Sequence, residues 1–417
     1  MDIFEPVRTA LSVPRGRAIS RTRIALRHAT WKKFSNLLRV EAGMRLGVTH
    51  PTGQPYEWEI DSTNICQLHC PLCHTGIGTV NRIKGFMAFE TFKKTIDQIK
   101  DHTIWLSLYS WGEPFLHREI AKFIRYAHDA NIGVVASSNM NAHLSEEKAE
   151  EIVKSGLDAL IMSIDGTTQE VYEKYRVGGQ LKNVLANVKL LAEKKRELGS
   201  KTPVLEWQFI VMRHNEHQKA DAKRMAKELG VDLLTFKKVD FPHNIYDEKM
   251  LREFLPSYRD PVTEAFNKPY NEGADSKCWR LWRSGVVNWD GGYAPCCYLT
   301  DAKDDFANIN DAPIRQIWNG PQYTEARKMF TVKGYIPTVP VGCSTCNVYT
   351  ESLAGVYTAS LGPSKPAVGI TLPSGEQNRT KSNGNVQLIN LESKDQDNAP
   401  EEARKIPVAS LPDSKKN

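Results

Sequence analysis

The chain has 417 residues, of which 41% are hydrophobic, which is enough for one large α/β domain and a smaller one. Its 55 basic and 49 acidic residues give a net charge of +6, a balance that argues against nucleic acid as an obligatory partner. No apolar run approaches the ~18 to 20 residues of a transmembrane segment, and the N-terminus lacks the apolar stretch of a secretory signal, so the sequence predicts a cytoplasmic protein.

Residues 1–50 are predicted to form a basic, helical N-terminal extension. They contain ten Arg or Lys and three acids, and Trp31, Phe34 and Leu38 recur near helical spacing. One interpretation is a helix that lies across the main domain with its arginines in water. The other is docking on an anionic membrane surface or an acidic partner.

Residues 51–260 alternate strand-like and helix-like patterns, which predicts βα repeats around a parallel sheet. Gly156 and Gly230 stand where two of the helices should end, because a left-handed C-terminal cap suits glycine. The predicted strands are Glu57 to Asp61, Ile104 to Tyr109, Gly133 to Ser137, Ala159 to Ile164, Leu205 to Met212 and Leu233 to Lys238.

Three cysteines, Cys66, Cys70 and Cys73, lie within eight residues directly after the first predicted strand. Parallel βα folds place functional groups at the C-terminal ends of strands, so this loop is well placed for chemistry. Three thiolates are one short of the four that a [4Fe-4S] cluster needs, and an open coordination position lets a small molecule bind the metal. A zinc knuckle or buried structural thiols are the alternatives.

The run Cys-x3-Cys-x2-Cys resembles the cluster motif of the radical S-adenosylmethionine (SAM) enzymes. The resemblance covers roughly Tyr56 to Tyr349 and implies a partial (βα)6 TIM-like barrel of the α/β class. It also implies a [4Fe-4S] cluster with ligands Cys66, Cys70 and Cys73, bound SAM, and reductive cleavage of SAM to a 5′-deoxyadenosyl radical that abstracts a substrate hydrogen atom. Leu72 is then expected to cover the adenine of SAM.

Further segments resemble the SAM-binding parts of the family. Ser110-Trp111-Gly112-Glu113-Pro114 is similar to the GGEP segment, with Trp111 in place of the first glycine, and implies that Gly112 and Glu113 receive the SAM amino group. An ordinary turn is the alternative for this segment and for Asn139, and an N-cap is the alternative for Asp165. Plain core is the alternative for Gln208. The residues implied to contact SAM or substrate are Leu72, Gly112, Glu113, Asn139, Ser163, Asp165, Arg176 and Gln208.

A second unit, residues 270–352, holds Cys278, Cys296, Cys297, Cys343 and Cys346. Its spacing resembles the SPASM/twitch domain, closer to the shorter twitch form, and implies an auxiliary [4Fe-4S] cluster. The expected ligands are Cys278, Cys296, Cys343 and Cys346, and an all-cysteine zinc site is the alternative. Residues 358–417 contain no aromatic residue or cysteine, which predicts a disordered tail.

The resemblance implies an iron-sulfur oxidoreductase that takes electrons from a donor such as flavodoxin or ferredoxin. Oxidation of a small molecule or carbohydrate-type metabolite is the leading functional hypothesis, with Lys237, Lys238 or Asp240 as a general base at the end of the sixth strand. The alternatives are a maturase that modifies a ribosomally made peptide and a non-enzymatic metal-binding scaffold.

Overall fold

The computed structural model describes residues 15–239, 248–259, 278–332 and 334–346. The proposed base Asp240 and the tail predicted to be disordered, residues 358–417, lie outside these ranges. Over the described ranges, no helix is both long enough and apolar enough to cross a lipid bilayer.

The described chain begins with two helices, α1 (Arg15–Arg27) and α2 (Trp31–Arg45). Thr30 separates them and caps α2, because its hydroxyl accepts a hydrogen bond from the Lys33 amide at 3.2 Å.

The six predicted strands are confirmed, with every end within two residues of its predicted position. Gly156 and Gly230 have φ values of +89° and +72°, as expected of glycines that end helices. The strands are β1 (Glu57–Ile60), β2 (Trp105–Ser107), β3 (Gly133–Ser138), β4 (Ala159–Ser163), β5 (Val204–Val211) and β6 (Leu233–Lys238). The helices are α3 (Phe89–Ile99), α4 (Ile120–Asp129), α5 (Glu146–Lys154), α6 (Gln169–Glu173), α7 (Leu181–Glu197), α8 (Lys219–Glu228) and α9 (Glu248–Phe254).

The two faces of the parallel sheet are covered differently. Trp58 and Ile60 belong to the main core, together with side chains of the connecting helices such as Phe92 and Phe123. On the opposite face, Ile24 of α1 joins a smaller apolar cluster with three strand residues, which are Val135, Ala159 and Ile161. Helix α1 therefore packs against the inner face of the sheet.

Helix α1 crosses the sheet near the N-terminal ends of its strands. Ile24 lies against Gly133, the first residue of β3, and Gly16 lies against Leu233, the first residue of β6. The edge where parallel strands end, which normally carries the functional groups, is the opposite one.

The C-terminal cysteine-rich unit extends the same sheet. Its strand β7 (Ser284–Val287) pairs in parallel with β1, and β8 (Gly292–Ala294) and β9 (Ala307–Asn308) follow it. The strand order is β6-β5-β4-β3-β2-β1-β7-β8-β9. Trp282, Tyr293 and Trp318 are fully buried in the main core, so this unit shares its core with the βα repeats. Its elements are α10 (Arg280–Arg283), β7 (Ser284–Val287), β8 (Gly292–Ala294), β9 (Ala307–Asn308), α11 (Ile314–Trp318) and α12 (Pro321–Thr331).

Candidate functional site

The first three cysteines lie in the loop that follows β1, at the C-terminal edge of the parallel strands, as predicted. Backbone hydrogen bonds shape the loop: the Cys73 amide donates to the Cys70 carbonyl at 3.2 Å, and the His69 amide donates to the Val177 carbonyl at 3.0 Å. Burial raises the pKa of the Cys66 thiol to about 12, and the Cys66 thiol is close enough to Cys70 and Cys73 for their charges to interact. Without a metal the Cys66 thiol stays protonated, and a metal would replace that proton.

Hydrogen-bond donors face the sulfur atoms. Asn139 Nδ2 and the Leu68 amide each lie 3.5 Å from Cys66 Sγ, and Arg176 Nη1 lies 3.7 Å from Cys70 Sγ. Such donors stabilise negatively charged thiolates and tune a cluster bound by them. Three thiols with N–H donors and a guanidinium beside them therefore fit an anionic iron-sulfur cluster.

The turn Ser110–Pro114 adjoins this loop at the end of β2. A Cβ atom on Gly112 would lie 1.7 Å from the Thr63 carbonyl oxygen, so only glycine fits there. The Asp61 carboxylate accepts hydrogen bonds from the Gly112 and Ser110 amides, yet burial raises the pKa of Asp61 to about 7. Asp61 thus fixes the turn from the end of β1, a role that sequence reasoning missed.

Glu113 connects the β2 turn to the end of β3. Its Oε1 accepts from the Phe115 amide at 3.0 Å and its Oε2 accepts from the Asn139 amide at 2.7 Å. Burial raises the pKa of Glu113, and these backbone donors oppose that rise. The visible contacts of Glu113 are therefore structural, and contact with the SAM amino group stays a prediction.

Asp165 and Arg176 form a buried ion pair close to Cys70. Arg176 Nε and Nη2 each lie 2.6 Å from Asp165 Oδ2, and Asp165 Oδ1 accepts from the Ile210 amide at 2.6 Å. Desolvation favours the neutral acid and raises the pKa of Asp165, although Arg176 opposes this. The residue before α6 is Thr168, so the N-cap interpretation of Asp165 is wrong.

Three further predicted residues, Gln208, Ser163 and Leu72, lie on the inner face of the sheet or in the cysteine loop. Gln208 Oε1 accepts from Arg17 Nη2 of α1 at 3.0 Å, so Gln208 faces the interior. The Ser163 hydroxyl lies 3.5 Å from that of Ser137. Leu72, which lies within the cysteine loop itself, is buried in an apolar cluster with Met212 and Tyr175, and its contact with an adenine stays a prediction.

The second group of cysteines gathers from three separate segments. Cys278 precedes α10 and Cys296 follows β8. Cys343 lies in the short 3₁₀ helix Gly342–Thr345, and Cys346 is the residue that follows this helix. The charge of Cys343 interacts with those of the other three, and burial raises the pKa of Cys343 and, to about 12, that of Cys278.

Cys297 stands beside this group. A hydrogen bond with Cys297 lowers the pKa of Cys296 to about 7, whereas the same bond, together with burial, raises the pKa of Cys297. The three cysteines whose charges interact with Cys343 are Cys278, Cys296 and Cys346, the other members of the predicted ligand set, and their binding of a cluster stays a prediction.

Contacts that the sequence did not predict join the two cysteine regions. Trp111 Nε1 donates to the Cys297 carbonyl at 2.7 Å, and the Trp111 ring meets the edge of His74, the residue after Cys73, at 4.8 Å between centroids. The presence of Trp111 where the family motif has glycine was the only signal in the sequence.

Ion pairs connect the same two regions. Arg82 lies 2.7 Å from Asp290 and 2.7 Å from Asp305, and Arg280 Nη1 lies 2.9 Å from Glu59 Oε1. These partners are more than 200 residues apart in the chain, so no local pattern reveals them.

Comparison with known families agrees with this geometry. Residues 60–207 match the radical SAM superfamily, and residues 278–347 match SPASM, an iron-sulfur cluster-binding domain. The chain belongs to the radical SAM superfamily. Its SPASM domain places it among the radical SAM enzymes that bind SAM, a SAM-binding [4Fe-4S] cluster and auxiliary iron-sulfur clusters.

Two curated relatives of this radical SAM protein illustrate the range of the similarity. The tungsten-containing aldehyde ferredoxin oxidoreductase cofactor-modifying protein of Pyrococcus furiosus is 23% identical over 316 residues, which cover 68% of this chain and 86% of that protein. The antilisterial bacteriocin subtilosin biosynthesis protein AlbA of Bacillus subtilis is 23% identical over 282 residues, which cover 64% of this chain and 60% of that protein.

Solved structures share the fold. SuiB of Streptococcus suis bound to S-adenosylmethionine is 16% identical with a TM-score of 0.53, over 76% of this chain and 75% of that chain. SuiB bound to the precursor peptide SuiA is 15% identical with a TM-score of 0.52, over 70% of this chain and 71% of that chain. The predicted partial barrel with its cluster domain is therefore confirmed.

Proposed function

We propose that this enzyme cleaves SAM reductively and uses the resulting radical to modify a ribosomally made peptide or protein. The observation that carries the proposal is a set of three cysteines, one ligand short of a complete cluster site, with N–H donors beside their sulfur atoms. Trp111 connects this set to the second cysteine group through its bond to the Cys297 carbonyl. When bound, a reduced [4Fe-4S] cluster supplies the electron that cleaves the sulfonium bond of SAM to methionine and a 5′-deoxyadenosyl radical. A flavodoxin or ferredoxin is the electron donor in this proposal.

The chain's own residues bind and orient SAM. Arg176, held by Asp165, meets the SAM carboxylate through its planar guanidinium. Leu72 covers the adenine, and the turn at Gly112 receives the amino group while Asp61 keeps that turn in place. Ser163 and Asp165 would hydrogen-bond the ribose hydroxyls. Asn139, whose amide lies beside Cys66, and Gln208 would face the cofactor or the substrate.

The inner face of the sheet carries polar side chains that a substrate could contact. Glu59, Ser107, Ser137 and Gln208 are partly exposed, whereas the strand residues that point to the helices are buried. Hydroxyl, amide and carboxylate groups on such a surface suit the backbone and side chains of a peptide.

Two comparisons favour the peptide over the small molecule that the sequence first suggested. AlbA acts in subtilosin biosynthesis, and the SuiB structure contains a precursor peptide. The described part of the N-terminal segment, residues 15–50, contains the helices α1 and α2 and no strand. A metabolite substrate is the second candidate, since the Pyrococcus relative is named for modifying a cofactor and is matched over 86% of its length.

The experiment compares the two substrate classes under one assay. Reconstituted enzyme, SAM and dithionite are incubated anaerobically with synthetic peptides encoded by short reading frames beside the gene, or with a small-molecule filtrate of a cell extract. We expect one peptide to stimulate 5′-deoxyadenosine formation and to change mass. Stimulation by the filtrate with every peptide unchanged would support the metabolite instead.

A further inference from the structure

Helix α2 presents its apolar side chains to solvent. Trp31 is 78% exposed, Phe34 48% and Leu38 54%, and their spacing of three and four residues puts them on one stripe of the helix. The Trp31 and Phe34 rings lie 5.7 Å apart. Trp31, Phe34 and Leu38 form the outer face of α2.

The inner face of α2 is unusually polar. Lys33 and Asn36 are buried, and the Lys33 ammonium donates to the Asn131 carbonyl. Asn36 exchanges two hydrogen bonds with the backbone of Gln54, at 2.8 and 2.9 Å. A surface helix normally buries its aromatic and aliphatic stripe and exposes its lysine. Because these bonds fix the rotation of α2, the exposure of its outer face is built into the fold.

The exposed charges that flank the outer face along α2 are positive. Residues 15–45 contain nine Arg or Lys and one acid, Glu41, which is paired with Arg283 at 2.7 Å. Three of the nine face away from this surface, because Arg17 pairs with Glu206, Arg27 pairs with Asp158 and Lys33 is buried. Lys32 and Arg39 are exposed next to the outer face, and the contact of Lys32 with Asp101, at 3.4 Å between two exposed groups, is weak.

We propose that the outer face of α2 docks on an anionic lipid bilayer surface. Tryptophan, phenylalanine and leucine beside lysine and arginine are the composition of helices that lie in the interface of such bilayers. Helices α1 and α2 lie near the N-terminal ends of the strands: Lys33 contacts Asn131, just before β3, and Ile24 contacts Gly133. The cysteine loop lies at the opposite ends of the strands, so docking leaves the SAM-binding edge open.

Vesicle sedimentation of the reconstituted full-length protein tests the proposal. We expect binding to phosphatidylcholine vesicles that contain phosphatidylglycerol, weak binding to phosphatidylcholine alone, and loss of binding at high salt. The triple variant Trp31→Ala/Phe34→Ala/Leu38→Ala should bind about tenfold more weakly or less. Its thermal unfolding temperature, iron content and SAM cleavage should match those of the parent, because the replaced side chains are exposed and remote from the cysteines.

The matched control is Val332→Ala/Ile336→Ala, which removes two other exposed apolar side chains. It should bind vesicles like the parent. Equal binding of the parent to both lipid compositions, no binding to either, or equal binding by the triple variant would each overturn the proposal. Light scattering supplies a further test. If the parent were a dimer and the triple variant a monomer, the proposal would also be overturned, because a second copy of the chain would then cover the outer face of α2. None of these outcomes affects the proposed SAM chemistry, which is assayed without lipid.

Discussion

Asp61 is a buried carboxyl group whose ionisation opposes folding. Burial raises the pKa of Asp61 from 3.8 to about 7, so the folded protein binds this proton more tightly than the unfolded chain does. The stability from this group is complete below about pH 4 and is lost as the pH rises towards 7. We expect the free energy of unfolding of the cluster-free protein to fall between pH 5 and 7, by up to about 1.4 kcal/mol per pH unit from Asp61 alone.

Asp61→Asn should flatten this part of the pH profile, which urea unfolding at closely spaced pH values will measure. The comparison with the parent isolates Asp61, because Glu57, whose pKa burial also raises to about 7, is present in both proteins. A variant profile parallel to that of the parent would show that Asp61 stays ionised over this range.

Trp111 is one of the residues that join the second cysteine region to the first. Trp111→Phe keeps an aromatic ring beside His74 but removes the donor to the Cys297 carbonyl. We expect a loss of about 1 kcal/mol in stability and faster amide hydrogen exchange at residues 297–299, measured by mass spectrometry. Trp289→Phe removes a similar bond, of 2.9 Å to the Ile83 carbonyl, and should leave those amides unchanged. Identical exchange at 297–299 in both variants would refute the role of Trp111.

The turn between β2 and the 3₁₀ helix Pro114–Leu116 depends on the close approach of two backbone segments. Gly112→Ala would push a methyl group to 1.7 Å from the Thr63 oxygen, so the turn and the adjoining cysteine loop must move apart. We expect a loss of roughly 1 to 3 kcal/mol in stability and at least about tenfold weaker SAM binding, measured by urea unfolding and calorimetry.

Gly199→Ala is the control for this turn. Gly199 has a φ of +59° and open space around its Cα, so alanine there should cost about 1 kcal/mol through backbone strain and leave SAM binding intact. Equal SAM affinity in the two alanine variants would contradict the importance of the Gly112 turn.

Sequence patterns predicted the strands and helices of the βα repeats, but neither the shortest strands nor the rotation of helix α2. Apolar runs such as Ala159–Ser163 alternate with amphipathic helices, so both kinds of element leave a periodic trace. Strands β8 and β9 have three and two residues, too short for any period to appear. The spacing of the outer face of α2 was visible in the sequence. The direction in which that face points was not, because the rotation of α2 depends on hydrogen bonds from Lys33 and Asn36 to backbone groups outside the helix.

At the scale of the whole molecule, the cysteine loops were predictable from the sequence, whereas the contacts that join them were not. The cysteine motifs were predictable because thiol spacing is local: Cys66, Cys70 and Cys73 share one loop, and Cys343 and Cys346 share another. The contacts that bring the two regions together, Trp111 with Cys297 and Arg82 with two aspartates, depend on the folded sheet and have no counterpart in local sequence.

The formation of 5′-deoxyadenosine from SAM by the anaerobically reconstituted, dithionite-reduced protein tests the central claim most directly, namely that the first cysteine loop binds SAM at an open cluster. The parent should form 5′-deoxyadenosine and hold about eight irons, Cys70→Ala should form none, and Cys343→Ala should still form some while holding about four irons. Absence of 5′-deoxyadenosine from the iron-loaded parent, or equal loss in both variants, would contradict the account.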